Sequence, residues 1–252
     1  MMDYRIKCLP SGVLIFTITR ADTRNAVNFR VMEGLQEAIE QASSADVRAL
    51  VITGEGEQAF CSGGDLSVFH ALRTEEEAYG MLSKMGEILY RLAVLPKPTI
   101  ALINGTAVGG GCEIASACDF RVAKIGAKLG FIQGSLAITT GWGGGTLLFE
   151  RIGTAHSLKL LSEASVYRAE QLDHIGFINQ VVDEADEAAA ESFLEKELSV
   201  SSGVLSAYKQ IQIRKWEATG LHDRMMQEVR QCAILWAKED HHRAVDGFLN
   251  KK

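Results

Sequence analysis

Runs of glycine constrain this chain more than any other feature. Twenty-four glycines stand against three prolines, and many are grouped: Gly63-Gly64, Gly109-Gly110-Gly111, and Gly141 to Gly145 broken only by Trp142. A glycine group marks a place where the backbone turns with positive φ or passes close to something a side chain would exclude. The first two groups each follow an apolar stretch and lead into a segment of helical spacing. They predict a fold in which strands hand over to helices through tight turns.

The segments between the groups agree. Residues 4–19 are rich in Ile, Val and Phe and are split by Pro10-Ser11-Gly12, which predicts a hairpin. Asn28 offers an N-cap to a helix with Phe29, Met32, Leu35, Ile39 and Ala42 on one face. Arg48 to Thr53 and Thr99 to Ile103 predict buried strands. Thr74 with Glu77 forms a capping box for a helix that runs to about Leu95, where Pro96 and Pro98 stop it. Phe120 to Ala123 and Ile178 to Val182 predict further strands, with helices over about 144–152, 154–164 and 168–174. This cadence predicts an α/β fold with mostly parallel strands. From about Glu184 onward the pattern is helical, with weak breaks at Ser201–Gly203, Gly220 and Lys238–Asp240. It predicts a second, smaller helical module over 191–252, after a core over 1–190.

Charge and cysteine usage exclude several function classes. A net charge of −6 disfavours a basic grip on nucleic acid or an anionic membrane surface. No apolar run approaches the roughly 18 residues of a membrane span. The N-terminal residues lack the apolar core of a signal peptide. Cys8, Cys61, Cys112, Cys118 and Cys232 are odd in number and form no CxxC pair, which fits a reducing, cytoplasmic setting and argues against zinc. The six histidines have no metal-ligand spacing, and His241-His242 beside Asp240 reads as a solvated helix face.

The glycine loops admit three readings. Phosphate binding fails on spacing, because neither GxGxxG nor GxxxxGK[ST] follows a strand. Two loops that each end a strand at a helix start can instead aim backbone N–H groups at one carbonyl oxygen, with the helix N-terminus favouring negative charge. Glu113 falls in the first turn of the second helix. Plain strand-to-helix turns with no ligand would carry the same glycines.

Taken together, the segments resemble the crotonase (enoyl-CoA hydratase/isomerase) family over nearly the whole chain. The resemblance rests on Arg24-Asn25-Ala26-Val27, on Ala59 to Leu66, on Asn104 to Glu113, on Ala117-Cys118-Asp119-Phe120-Arg121, on Gly141–Gly145, and on Gly176 to Val182. It implies a spiral of ββα units followed by a helical trimerisation module, assembled as a homotrimer or homohexamer. It implies an acyl-CoA thioester as substrate, no separate cofactor, and no metal. The thioester oxygen would be held by the N–H groups of Gly64 and Gly110. Arg24 and Ala26, with Ser62, Asp65 and Leu66, would hold the CoA arm and adenine, although Arg24 also reads as a solvated arginine. Phe248 and Lys251 would help cover the adenine.

Glu113 matches the first of the two proton-transferring glutamates of the family's hydratases. The second is expected in a Phe-Gly-x-Pro-Glu motif, which here reads Leu129-Gly130-Phe131-Ile132-Gln133. Gln133 cannot exchange a proton at neutral pH. Hydration or double-bond migration would then fall to Glu113 alone. The wording around Gln133 and Trp142-Gly143-Gly144 also resembles the ethylmalonyl-CoA decarboxylase branch, whose chemistry needs no second carboxylate. Trp142 either lines the acyl pocket or is a packed loop aromatic. A binding protein that has lost catalysis is the third reading, opposed by the presence of Gly64, Gly110 and Glu113.

Overall fold

A computed structural model describes residues 2–249. Lys251 lies outside the described residues. The expected hairpin is Tyr4–Cys8 (β1) and Val13–Ile18 (β2), antiparallel around Gly12 at φ +83°. Asn28 caps Phe29–Ala42 (α1), its Oδ1 accepting the Val31 N–H at 3.0 Å. Ala49–Gly54 (β3) and Ala59–Cys61 (β4) lead to one short turn, Leu66–Phe69 (α2). The Thr74/Glu77 capping box opens Glu75–Ala93 (α3). Thr99–Ile103 (β5) and Thr106–Val108 (β6) precede Gly110–Ala117 (α4). Phe120–Lys124 (β7) and Lys128–Gly130 (β8) precede Gly144–Arg151 (α5) and Thr154–Glu163 (α6). Tyr167–Arg168 (β9), Ala169–Asp173 (α7) and Gln180–Val182 (β10) follow. The chain ends in Glu187–Ser199 (α8), Ser202–Ala218 (α9), Leu221–Trp236 (α10) and Glu239–Leu249 (α11).

Two sheets organise these elements. One has the order β1-β2-β3-β5-β7-β10 and is parallel except for the β1/β2 pair. The other has the order β4-β6-β8-β9 and is parallel except for β8/β9. Successive turns of the chain thus place one strand in each sheet: β3 then β4, β5 then β6, β7 then β8. This is the spiral of ββα units. The second sheet has strands of two or three residues, too short to show a period of two, so its existence is a finding of the structure.

The large sheet is buried on both faces, which explains the near-continuous apolar runs of β2, β3 and β5. Leu14, Phe16, Leu50 and Ile52 face the main core with α1 and α3. Val13, Ile15, Val51, Ile100 and Leu102 face the other way and are covered by Ala190 and Leu194 of α8. The expected division at 190/191 falls inside α8. Helix α10 packs on α3 and α5. Val229 and Met226 come so close to Gly86 of α3 that a methyl there would lie 3.0 Å from each. Helix α9 is fastened by Lys209, which pairs with Asp119, and by the Trp216 indole, which donates to Glu150 at 3.0 Å. No helix among the described residues is long and apolar enough to cross a membrane.

Candidate active site

A cavity of about 480 Å³ opens where the ends of β4 and β6 meet the helices that follow them. Gly64 and Gly110 line it from two loops. The loops touch: a methyl on Gly63, at φ +96°, would lie 3.0 Å from the Gly110 nitrogen. The first loop is braced by Val27, whose N–H donates to the Gly63 carbonyl at 2.8 Å and whose carbonyl accepts the Asp65 N–H at 2.9 Å. The second turns at Gly109, φ +57°, a conformation that a residue with a side chain adopts only at a cost. Gly110 then begins α4. Among the described residues, neither the Gly64 N–H nor the Gly110 N–H donates to a protein acceptor. Two glycines whose amides have no protein acceptor, one of them at a helix N-terminus, therefore line one cavity.

Trp142 forms the wall beside them. A methyl on Gly110 would lie 2.1 Å from its Cζ3, and one on Gly64 3.6 Å from its Cζ2. Glycine is required at 110 by this close approach. Trp142 is buried and lines the cavity, so the pocket and packing readings of it hold together.

Glu113 sits one turn into α4 and is 2% exposed. Its Oε2 accepts the N–H groups of Trp142 at 2.8 Å and Gly144 at 3.0 Å. Its Oε1 accepts the Gly141 N–H at 3.2 Å and Gln133 Nε2 at 2.9 Å. All four lone-pair positions of the carboxylate are thus occupied. Burial pushes its pKa up to about 7, the nearby Glu228 carboxylate adds to the rise, and the backbone N–H bonds oppose it. Ionised Glu113 only accepts, and Gln133 turns its NH₂ toward it. Gln133 Oε1 is left buried, with no hydrogen-bond partner among the described residues.

Arg24, Ala26, Ser62, Asp65, Leu66, Gln133 and Phe248 also line the cavity. Arg24 and Asn25 are left-handed, at φ 54° and 56°. The buried Asn25 side chain fixes this bend: its Nδ2 donates to the carbonyls of Glu55 and Ala59, and its Oδ1 accepts the Arg20 N–H. The Ser62 N–H ties to the Arg24 carbonyl at 3.1 Å. Arg24 itself is exposed. Asp65 caps α2 and pairs with Arg20 at 2.8 Å. Burial raises its pKa, but the Ser67 hydrogen bonds and Arg20 outweigh that and hold it low. Phe248 lies on α11, half exposed.

Two residues escape the sequence reading. Arg20 braces the first loop through Asp65 and the Ala26 carbonyl, at 2.6 Å. Glu228 of α10 accepts the N–H groups of Gly145 at 3.0 Å and Thr146 at 2.6 Å, and the Thr146 hydroxyl. Among the described residues no group of His, Cys, Asp and Glu side chains is arranged to hold a metal ion.

Residues 9–252 match the family model described as Enoyl-CoA hydratase/isomerase. An ethylmalonyl-CoA decarboxylase of Gallus gallus is 33% identical over 206 residues, covering 80% of this chain and 69% of that protein. A short-chain-enoyl-CoA hydratase of Clostridium acetobutylicum is 29% identical over 242 residues, covering 95% and 92%. An enoyl-CoA hydratase/isomerase crystal structure from Mycobacterium paratuberculosis superimposes with a TM-score of 0.88 over 98% of both chains at 22% identity, a likeness of fold. With its two-sheet spiral and matching family model, the chain belongs to the enoyl-CoA hydratase/isomerase, or crotonase, family.

Proposed function

We propose that this enzyme forms a thioester enolate against the Gly64 and Gly110 amides, and that its reaction is decarboxylation of a short 2-carboxyacyl-CoA of the methylmalonyl or ethylmalonyl class. One observation carries the choice of reaction. Both oxyanion amides are free, whereas Glu113 has every lone-pair position filled. A reaction that makes the enolate without a base fits this arrangement best.

In that reaction the bond from Cα to the substrate carboxylate breaks. Its electron pair moves into the thioester, giving an enolate oxygen anion and CO₂. The two N–H groups stabilise the anion more than the ground-state carbonyl, which is what lowers the barrier. Cα then takes a proton from water to give the saturated acyl-CoA. The walls at Met81, Leu82, Ile138 and Trp142 are apolar. They suit departing CO₂ better than the carboxylate it came from. The four N–H donors on Glu113 offset its charge, and Gln133 adds none. The chemistry draws on no separate cofactor, since CoA enters with the substrate. Arg24, exposed at the cavity, is the cation offered to the CoA phosphates, with Ala26, Ser62, Asp65, Leu66 and Phe248 shaping the arm's path.

Hydration of a 2-enoyl-CoA is the second reading. It is favoured by the Glu113 pKa of about 7, suited to proton transfer at neutral pH, and by the hydratase relative that spans most of the chain. For it, Glu113 must release one donor to activate water. Gln133 is the one donor held by a side chain. Water's oxygen would add to Cβ and a proton to Cα.

Purified protein offered crotonyl-CoA, a 3-enoyl-CoA, methylmalonyl-CoA and ethylmalonyl-CoA decides between these. CO₂ release from the malonyl-type substrates is expected. Rapid hydration of crotonyl-CoA without CO₂ release overturns the decarboxylase reading, and no turnover of any substrate leaves a binding protein. We further propose assembly as a homotrimer or homohexamer. Support comes from the exposed Val204, Tyr208 and Ile211 on the outer side of α9; light scattering of the purified chain tests it.

A further inference from the structure

The loop from Gly141 to Thr146 is gripped from two sides. Glu113 of α4 takes the N–H groups of Gly141, Trp142 and Gly144. Glu228 of α10 takes those of Gly145 and Thr146, with the Thr146 hydroxyl at 2.5 Å. The loop packs closely on both carboxylates. A methyl on Gly144 would lie 2.4 Å from Glu113 Cβ, and one on Gly145 would lie 3.2 Å from Glu228 Oε1. Trp142 lies within the stretch Glu113 holds, three residues before the first amide Glu228 holds, with its indole against Gly110 and Gly64.

Glu228 does not line the cavity, so it touches no substrate there. Its reach into the site is through the backbone. We propose that Glu228 is a positioning residue of the acyl-CoA site: from the C-terminal helices it fixes the 141–146 loop, and so holds Trp142 in place beside the two oxyanion amides. This rests on the reading of Gly64 and Gly110 as the donors to the thioester. A carboxylate is needed because it accepts from several donors at once. A glutamine at 228 keeps the shape but offers one oxygen, and it turns an NH₂ toward the loop amides, donor against donor. The loop then loses at least one anchor and Trp142 shifts. Misplacement of a reacting geometry by about 1 Å costs on the order of 10²-fold in rate.

The test uses Glu228→Gln and Thr146→Val on the whole protein. Thr146→Val removes the hydroxyl that Glu228 accepts, keeps the carboxylate, and carries the test if the first variant does not fold. The probe is butyryl-CoA labelled with ¹³C at the thioester carbonyl, which neither reaction consumes. Its infrared carbonyl band falls in frequency when oxyanion donors polarise it. Hydrogen exchange of the 141–146 amides is followed on the same samples. The expected result has three parts: a lowered band in the wild type, a smaller lowering in both variants, and faster loop exchange. Turnover of the preferred substrate should fall roughly 10- to 100-fold in kcat for Glu228→Gln, with KM changed far less. An equal band shift in wild type and variants, or unchanged loop exchange, overturns the positioning role and leaves the oxyanion reading standing. A wild-type band that does not move on binding overturns the oxyanion reading itself, and the positioning role with it.

Discussion

At the start of α4 the Gly110 N–H meets no acceptor among the described residues, while around the start of α5 the amides of Gly141, Trp142, Gly144, Gly145 and Thr146 all end on Glu113 or Glu228. Both places are glycine-rich helix entrances, and both carry the partial positive charge that a helix start offers to an anion. At one the protein supplies its own anions and the entrance is closed. At the other it supplies none, and under the proposed function the entrance is left for an oxygen that becomes anionic only during a reaction. The difference lies in the carboxylates brought to them by other elements, not in the glycines.

Blocking the open entrance should have the largest effect. Gly110→Ala pushes a methyl into Trp142 and moves the amide, so kcat should fall roughly 10²–10³-fold with the circular dichroism spectrum unchanged. A loss under threefold would mean that the amide at 110 is not used. The closed entrance should show itself next, in pH-dependent stability. The folded pKa of Glu113 is raised, to about 7, by burial and then by Glu228. Its contribution is therefore full below the unfolded value near 4.5 and lost as pH rises through about 7. Relative to Glu113→Gln, thermal stability of the wild type should drop between pH 4.5 and 8, by on the order of 3 kcal/mol; parallel curves would contradict the burial of a titrating carboxylate.

Glu113→Gln also sharpens the comparison in kinetics. As an anchor for the loop, Glu113 should cost decarboxylation roughly 10-fold when amidated, the effect of a loosened wall. A loss of roughly 10²–10⁴-fold would identify a proton-transfer role instead. The smallest effect is expected for Gln133→Glu. It removes a donor from Glu113 and places a second carboxylate near the substrate's own, so CO₂ release should fall several-fold while crotonyl-CoA hydration, which paired carboxylates support, is gained. Assays of both reactions on one preparation measure this, and no gain in hydration would show that the missing carboxylate is not what limits it.

Much of the frame was legible because it is written locally. The Asn28 cap, the Thr74/Glu77 box and the apolar runs of β2, β3 and β5 depend on neighbours within a few residues. So were the glycine turns at 63–64 and 109–111, through their runs of glycine. What escaped depends on distant partners. Strands β4, β6 and β8 are defined by one another, not by any period of their own. Gln133 stood out as a departure, but its hold on Glu113 follows from three-dimensional packing. Glu228 reads as one more polar residue on an amphipathic helix between Met225, Val229 and Cys232, and nothing near it in sequence points to Gly145. Arg20 is hidden in the same way, because Asp65, its partner, lies beyond the whole of α1 and β3.

The Glu228 anchor also has a consequence in time. Ribosomal synthesis delivers the chain from its N-terminus, at roughly 5–20 residues per second, and Gly145 and Thr146 emerge well before the glutamate that secures them. Until α10 is made and docked, the 141–146 loop lacks the Glu228 grip and the main core lacks Met225, Val229, Cys232 and Trp236. The site would then be complete only once α10 has been made and docked.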